Sequence, residues 1–279
     1  MNTVQHEKLL SSLRYWLIGK AENDNRYYMT LEALEYAKSI HVGKRKDNIT
    51  EEFYHQLNIV SFLRNLVVYF EKPHILLAVG LLHDTIEDYS HTENKVLEKF
   101  PEVYPYLQKI NKMQNGIKLS NDEYYRQMTN CPITVVVKCV DRIHNLSTMH
   151  GVFTMDKMQS YIDEVCDYFL PMLKETRRNQ PRYEAVFELL KTTLLLMVSN
   201  VESIITRGVK PPVNETFGIG HGLTLYDDTG MCDNIFIPQG DIKHQDNDVI
   251  VFSYNGKPGM VDKKTLKVDH DDLTFYYLR

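Results

Sequence analysis

The chain has 279 residues, 32 Lys and Arg against 37 Asp and Glu, 43% hydrophobic and 25% charged side chains. This composition belongs to a folded globular protein and excludes disordered or collagen-like chains. A net charge of −5 provides no basic face for wholesale nucleic-acid binding, so no nucleic-acid partner is expected; a local basic pocket for a phosphorylated small molecule is compatible with it. The opening residues, MNTVQHEKLL, have neither the apolar core nor the cleavage site of a signal peptide. The longest apolar run, about Leu194 to Val198, is too short to span a bilayer, so no membrane partner is expected. Cys131, Cys139, Cys166 and Cys232 are scattered without a CxxC pair and read as free thiols of a reducing compartment, the cytoplasm.

In chain order, Leu31, Leu34, Ala37 and Ile40 recur at helical spacing, as do Phe53, Leu57, Val60, Ser61 and Leu63-Arg64. Residues 74–88, 131–147, 153–175 and 182–207 are long, rich in Leu, Val and Met, and almost free of Gly and Pro. The pattern changes near Pro211-Pro212, a step that disfavours helix on both sides, placing a boundary at about 208–216. Residues 1–210 hold 26 acidic and 26 basic side chains; residues 211–279 hold 11 acidic and 6 basic, and seven of the 13 glycines. There the runs Leu223–Tyr226, Asn234–Ile237 and Val249–Tyr254 are broken by turn residues, and Asn255-Gly256 is a hairpin turn. The expected fold is mainly α: a helical domain over 1–210, then a small β-rich domain or extension over 211–279. About sixty residues make a marginal core. Its aromatics, Phe236, Phe252, Tyr254, Phe275, Tyr276 and Tyr277, are expected to pack that core or to dock; a homo-oligomer is compatible with this.

The chemistry gathers at Leu81-Leu82-His83-Asp84-Thr85-Ile86-Glu87-Asp88, where an apolar helix from Ile75 to Leu82 ends in four titratable groups within six positions. His83 and Glu87 share a helical face, as do Asp84 and Asp88. Imidazole with carboxylate suits a divalent ion such as Mn, Fe or Zn, and two further carboxylates one turn on are placed to handle protons. The dipeptide alone decides little: His270-Asp271 repeats it in an acidic stretch that reads as a solvated turn. Upstream, His55 lies on a helix beginning near Thr50. Downstream, the apolar helix around Val135–Val140 ends in Asp141-Arg142-Ile143-His144-Asn145, with Asp141 and Asn145 on one face.

The order His … His-Asp … Asp on three helices is the ligand pattern of HD-superfamily metal phosphohydrolases. His-Asp-x-x-Glu-Asp followed by Lys-x-x-Asp-Arg-x-His-Asn resembles, more closely, the hydrolase domain of RelA/SpoT-type alarmone enzymes. Ala33–Ala37, His41–Lys46 with His55, and Tyr125–Met128 fit that resemblance, which runs from about residue 29 to 175 or 205 without a synthetase signature. The family's Gly-Glu-Pro-Tyr-like turn is replaced by Asn48–Tyr54 before His55, and Ser147 stands where a basic residue is common.

The resemblance implies a stand-alone small alarmone hydrolase. His55, His83, Asp84 and Asp141 would hold one ion, usually manganese. Glu87 and Asp88 would activate water and shuttle protons. Arg45 and Asn145 would contact the nucleotide; from their charge alone, Arg45, Lys46 and Lys138 are candidates to neutralise its phosphates. The implied reaction removes the 3′-pyrophosphate from guanosine tetra- or pentaphosphate or an adenosine counterpart. Hydrolysis of another nucleotide, such as NADPH or a (deoxy)nucleoside triphosphate, and a non-catalytic nucleotide-binding role both stay open. His41 and His144 read as structural or supporting groups.

Overall fold

The computed structural model describes residues 3–114, 116–206, 223–227, 235–237, 241–245, 248–265, 267–270 and 276–278. The chain divides into two compact units, Met1–Pro211 and Pro212–Arg279. The first is helical and the second β-rich; the 208–216 junction itself lies outside the described residues.

The helical unit runs α1 (Thr3–Asn23), α2 (Tyr27–Ile40), α3 (Phe53–Leu63), α4 (Pro73–Leu82), α5 (Thr85–Asp88), α6 (Glu93–Lys99) and α7 (Tyr104–Ile110). A two-residue hairpin, β1 (Met113–Gln114) and β2 (Ile117–Lys118), precedes α8 (Asn121–Met128) and α9 (Pro132–Thr148). Then follow α10 (Met155–Glu164), a π turn over Val165–Phe169, α11 (Leu170–Asn179) and α12 (Glu184–Thr206). Local chemistry sets several of these ends. Ser120 and Glu123 form a reciprocal capping box at the start of α8. Thr154 caps α10 by accepting from the Lys157 amide, and Pro132 opens α9 where no backbone donor is needed.

α4 is the centre of this unit. From His74 to Leu82 every residue is buried, and the helix packs against α2, α3 and α9. Gly80 of α4 faces α3. A Cβ there would lie 2.5 Å from Leu63 Cδ1 and 3.3 Å from Val60 Cγ2, so a larger residue would have to push these side chains aside. α1 packs on α2 and α3 through Leu13, Leu17 and Ala21. Pro181–Thr206 is long and apolar enough, by length and composition alone, to cross a bilayer, although its longest apolar run is short. Val186, Phe187, Leu190, Leu194, Val198 and Val201 of this segment are buried in the helical core, whereas Leu189, Leu195 and Leu196 are exposed and 22% of its most apolar window is buried.

The second unit contains β3 (Leu223–Asp227), β4 (Ile235–Ile237), β5 (Ile242–Gln245), β6 (Val249–Tyr254), β7 (Lys257–Asp262), β8 (Val268–Asp269) and β9 (Tyr276–Leu278). They form two antiparallel sheets, ordered β4-β3-β9 and β5-β6-β7-β8. Asn255 and Gly256, at φ 51° and 77°, close the β6–β7 hairpin as the Asn-Gly step requires. Leu225, Ile237, Ile250, Phe252 and Val261 are its core, with Tyr254 packed beside them. His270 corrects the sequence expectation. It is not solvated but 5% exposed, stacked on Phe252 with its Nε2 3.3 Å from the Tyr254 carbonyl oxygen. Asp271, Phe275, the side chains of Phe236, Tyr276 and Tyr277, and the turns at 228–230 and 238–240 lie outside the described residues.

Candidate metal centre and its cavity

Three helices converge where the apolar core of the first unit gives way to a cavity of about 550 Å³. α3 presents His55, the end of α4 presents His83 and Asp84, and α9 presents Asp141. α4 stops at Leu82 and α5 restarts at Thr85, so His83 and Asp84 occupy the junction between two helices.

The ligand-bearing atoms of His55, His83 and Asp84 all lie within 4.8 Å of one another. His83 Nε2 is 2.9 Å from Asp84 Oδ2 and 3.8 Å from Asp141 Oδ1. His55 Nε2 is 3.1 Å from Asp141 Oδ1 and 3.7 Å from Asp84 Oδ2. Ions bound by nitrogen and oxygen at about 2.1 Å separate neighbouring ligand atoms by about 3.0–3.4 Å, and these spacings bracket that range.

The protonation pattern also fits a cation. His83 Nδ1 lies 2.9 Å from the Gly80 carbonyl oxygen and donates to it, which fixes the ring proton on that side. Its Nε2 is buried without a hydrogen-bond partner among the described residues, because the nearby Asp84 oxygen is out of alignment. Burial opposes charge on His83, yet the Asp84 and Asp141 carboxylates outweigh it and hold its pKa up to about 10. Asp84 and Asp141 are correspondingly held well below the usual carboxylate range: burial raises both, but His83 for Asp84 and Lys138 for Asp141 lower them further. The carboxylates thus favour positive charge at Nε2, which a divalent ion would supply in place of the proton.

Asp141 is braced on both oxygens. Lys138 Nζ is 2.9 Å from Oδ2, and Asn145 Nδ2 donates to Oδ1 at 2.7 Å. Lys138, expected at the phosphates, is thus committed to this carboxylate, and it is absent from the cavity lining. Asn145 does line the cavity, and Arg45 Nη2 donates to its Oδ1 at 3.0 Å. Lys46 lines the same wall, with Nζ 5.0 Å from the centre of the Phe153 ring.

Of the two expected proton-transfer carboxylates, Asp88 borders the cavity and Glu87 does not. Burial, then the charges of Asp84, Glu87 and Glu52, push Asp88 up to about 6, close to the range in which a carboxylate works as a base near neutrality. Glu52 was not singled out from the sequence. Its Oε2 accepts from Tyr89 at 2.6 Å, its Oε1 lies 3.3 Å from His41 Nδ1, and it reaches the cavity. His41 Nε2 is in turn 3.3 Å from Thr85 Oγ1, tying the loop before α3 to α5. Other lining groups also had no sequence signal: His6 on α1, stacked on Tyr54 at 3.7 Å, and Phe153 and Tyr161 beyond α9. His144 adjoins His55, Nδ1 to Nδ1 at 2.9 Å, and its burial with the His55 and Arg45 charges pushes it down to about 3.

No family model matches the chain. It is 26% identical over 150 residues to the GTP pyrophosphokinase rsh of Brucella ovis, covering 50% of this chain and 19% of that protein. It is 30% identical over 149 residues to the guanosine-3′,5′-bis(diphosphate) 3′-pyrophosphohydrolase of Aquifex aeolicus, covering 50% and 20%. A solved structure described as a metazoan ortholog of SpoT that hydrolyses ppGpp matches at 19% identity and a TM-score of 0.43, over 65% of this chain and 97% of that one. The chain thus spans about a fifth of the length of these curated relatives, which are named as a GTP pyrophosphokinase and a guanosine-3′,5′-bis(diphosphate) 3′-pyrophosphohydrolase.

Proposed function

We propose that the chain is a metal-dependent phosphohydrolase of the RelA/SpoT type, removing the 3′-pyrophosphate of a guanosine or adenosine alarmone. One observation carries the reading. His55, Asp84 and Asp141, from three elements, gather around the buried His83 Nε2, which makes no hydrogen bond among the described residues, beside a cavity that Asp88 and a cationic segment line. The similarity to proteins named as alarmone enzymes supports the choice of substrate.

In this reading His55, His83, Asp84 and Asp141 hold one Mn²⁺ ion. When bound, the ion lowers the pKa of a water and offsets charge on a phosphoryl oxygen. Asp88 accepts the water proton as the water oxygen bonds to the phosphorus attached to the ribose 3′ oxygen. The phosphorus–O3′ bond breaks, pyrophosphate departs, and the proton passes from Asp88 to the 3′ oxygen. Glu87, through its charge, keeps Asp88 a stronger base. Arg45 and Lys46 face the ligand's phosphates and Asn145 contacts its nucleoside, while Lys138 holds Asp141 in place.

A second substrate has specific support. Glu52 adds a carboxylate to the cavity and Ser147 adds no cation, which favours a nucleotide with fewer phosphates, such as NADPH losing its 2′-phosphate. The test is turnover with added manganese on guanosine tetraphosphate, adenosine alarmones, NADPH and nucleoside triphosphates in parallel. Pyrophosphate from an alarmone, absent in Asp84→Ala and Asp141→Ala variants of unchanged helical circular dichroism, is the expected result. Phosphate from NADPH alone selects the second substrate, and activity surviving in both variants refutes the metal centre.

A further inference from the structure

His83 and His55, the two imidazoles of the metal centre, are anchored differently. His83 Nδ1 is held by a backbone group, the Gly80 carbonyl. His55 Nδ1 faces another imidazole, His144 Nδ1, at 2.9 Å, with ring centres 4.8 Å apart. Two ring nitrogens at that distance need one proton between them. Two lone pairs would repel and two N–H groups would collide.

The metal ligand set decides which ring carries that proton. His55 Nε2 belongs to the cluster with Asp141 and Asp84, so it must keep its lone pair for a cation. A neutral His55 then carries its proton on Nδ1 and donates it to His144. His144 Nδ1 becomes an acceptor, and the only proton on that ring sits on Nε2. No protein group among the described residues bonds that nitrogen, and His144 borders the cavity. Along α9, Asp141, His144 and Asn145 fall on one face at spacings of three and four.

We propose that His144 is a positioning residue of the metal centre, accepting the His55 Nδ1 proton so that His55 Nε2 is free for the ion, and thereby fixed as an Nε2–H donor to an anionic oxygen of the ligand. The proposal rests on the metal-dependent reading above. It adds a role for a side chain outside the ligand set, and it makes one turn of α9 supply a ligand, the brace of that ligand and the orienting partner of a ligand on α3.

The test uses the full chain and reads metal binding apart from turnover. Mn²⁺ is titrated into the metal-free protein and free ion is followed by electron paramagnetic resonance, for wild type, His144→Ala and His144→Asn. Loss of an orienting partner lowers affinity by about 10–100-fold, the effect expected of His144→Ala. Asn offers an oxygen to His55 and an N–H to the cavity, so His144→Asn should recover most of the affinity. Inorganic pyrophosphate binding to the manganese-saturated protein should weaken about tenfold in His144→Ala and less in His144→Asn. Melting of the metal-free variants separates misfolding from a local effect. Equal manganese affinity in wild type and His144→Ala overturns the proposal while leaving the metal centre standing. So does a His144→Asn variant, folded as wild type, that binds no better than His144→Ala. A wild-type protein that binds no manganese overturns the underlying reading instead.

Discussion

Glu164 is the clearest structural lever on the helix that carries Asp141. Arg142, the next residue along α9, places Nη2 2.5 Å from Glu164 Oε2, and Tyr125 donates to Glu164 Oε1 at 2.7 Å. Both charged side chains are largely buried, Arg142 12% and Glu164 22% exposed. Arg142 also lies 4.2 Å from the Tyr161 ring centre and 5.0 Å from that of Phe169, while its Nη1 has no hydrogen-bond partner among the described residues. Glu164→Ala leaves the guanidinium with its ring contacts but without its carboxylate. Removing one member of a buried pair costs about 3–5 kcal/mol, and the partial exposure favours the lower end, about 3 kcal/mol. For a helical unit of this size that lowers the melting temperature by about 6–12 °C. Replacing both partners by apolar residues, Arg142→Met with Glu164→Leu, should recover much of the loss, because neither buried charge then lacks a partner. The pH dependence has a fixed sign. Burial raises Glu164, but Arg142 and the Tyr125 hydrogen bond outweigh it and hold the carboxyl below its usual 4.5. Its contribution is therefore present above that pH and lost as the pH falls through the lowered value. The gap between wild type and Glu164→Gln should narrow in acid. Thermal melts by helical circular dichroism measure all of this, and a Glu164→Ala shift under about 2 °C would refute the reasoning.

Three further outcomes are expected. Manganese at a hundred times its dissociation constant should stabilise the fold by about 2.7 kcal/mol, reversibly with chelator; the same melting shift in Asp84→Ala would contradict the ligand assignment. kcat/KM should fall as pH drops below about 6, where burial and the neighbouring carboxylates place Asp88, since a base works ionised. Asp88→Asn should lack that limb, and a wild-type profile flat from pH 5 to 7 would remove Asp88 from the role. Gly80→Ala forces a methyl to 2.5 Å from Leu63 Cδ1, a cost of about 1–3 kcal/mol offset by about 1 kcal/mol of helix propensity. It also displaces the carbonyl that holds His83, so both melting temperature and manganese affinity should drop, and wild-type values for both would show that the α3–α4 contact yields freely.

Helices were legible where apolar period and length agree. The helix expected at 131–147 is α9, Pro132–Thr148, and the strand Val249–Tyr254 and its Asn-Gly turn appear as read. Residues 74–88 form two helices rather than one, because the chain breaks at His83-Asp84, and the i, i+4 argument fails there for His83 and Glu87 while Asp84 and Asp88 still meet the cavity. The β1–β2 hairpin is too short to leave a periodic signature. His83-Asp84 and Asp141 stood out because an apolar stretch gives way there to polar groups, whereas His55, in the first turn of α3, was singled out only through the order of residues that the resemblance supplies. Lys138 was misplaced because a single chain position does not reveal whether a lysine's long stem turns toward the cavity or back along its own helix, as it does here to Asp141. Glu52 and His6 act through tertiary contacts alone, with His41 and Tyr89 for one and Tyr54 for the other. His270 shows the converse: an acidic neighbourhood hid a ring that packs on Phe252.

The distribution of charge around the cavity has a kinetic consequence. Its lysines and arginine come from one segment, Lys44 to Lys46, which Asp47 adjoins, whereas Glu52 comes from the loop before α3 and Asp84 and Asp88 from the start and end of α5. A polyphosphate entering before any cation meets attraction from a single stretch of wall and repulsion from the rest. Under the proposed function, loading would then be ordered, ion before nucleotide, and scarcity of the ion would show up as weakened capture of the nucleotide rather than as a slower chemical step. A protein loaded in that order would register the supply of its metal each time it sampled its ligand.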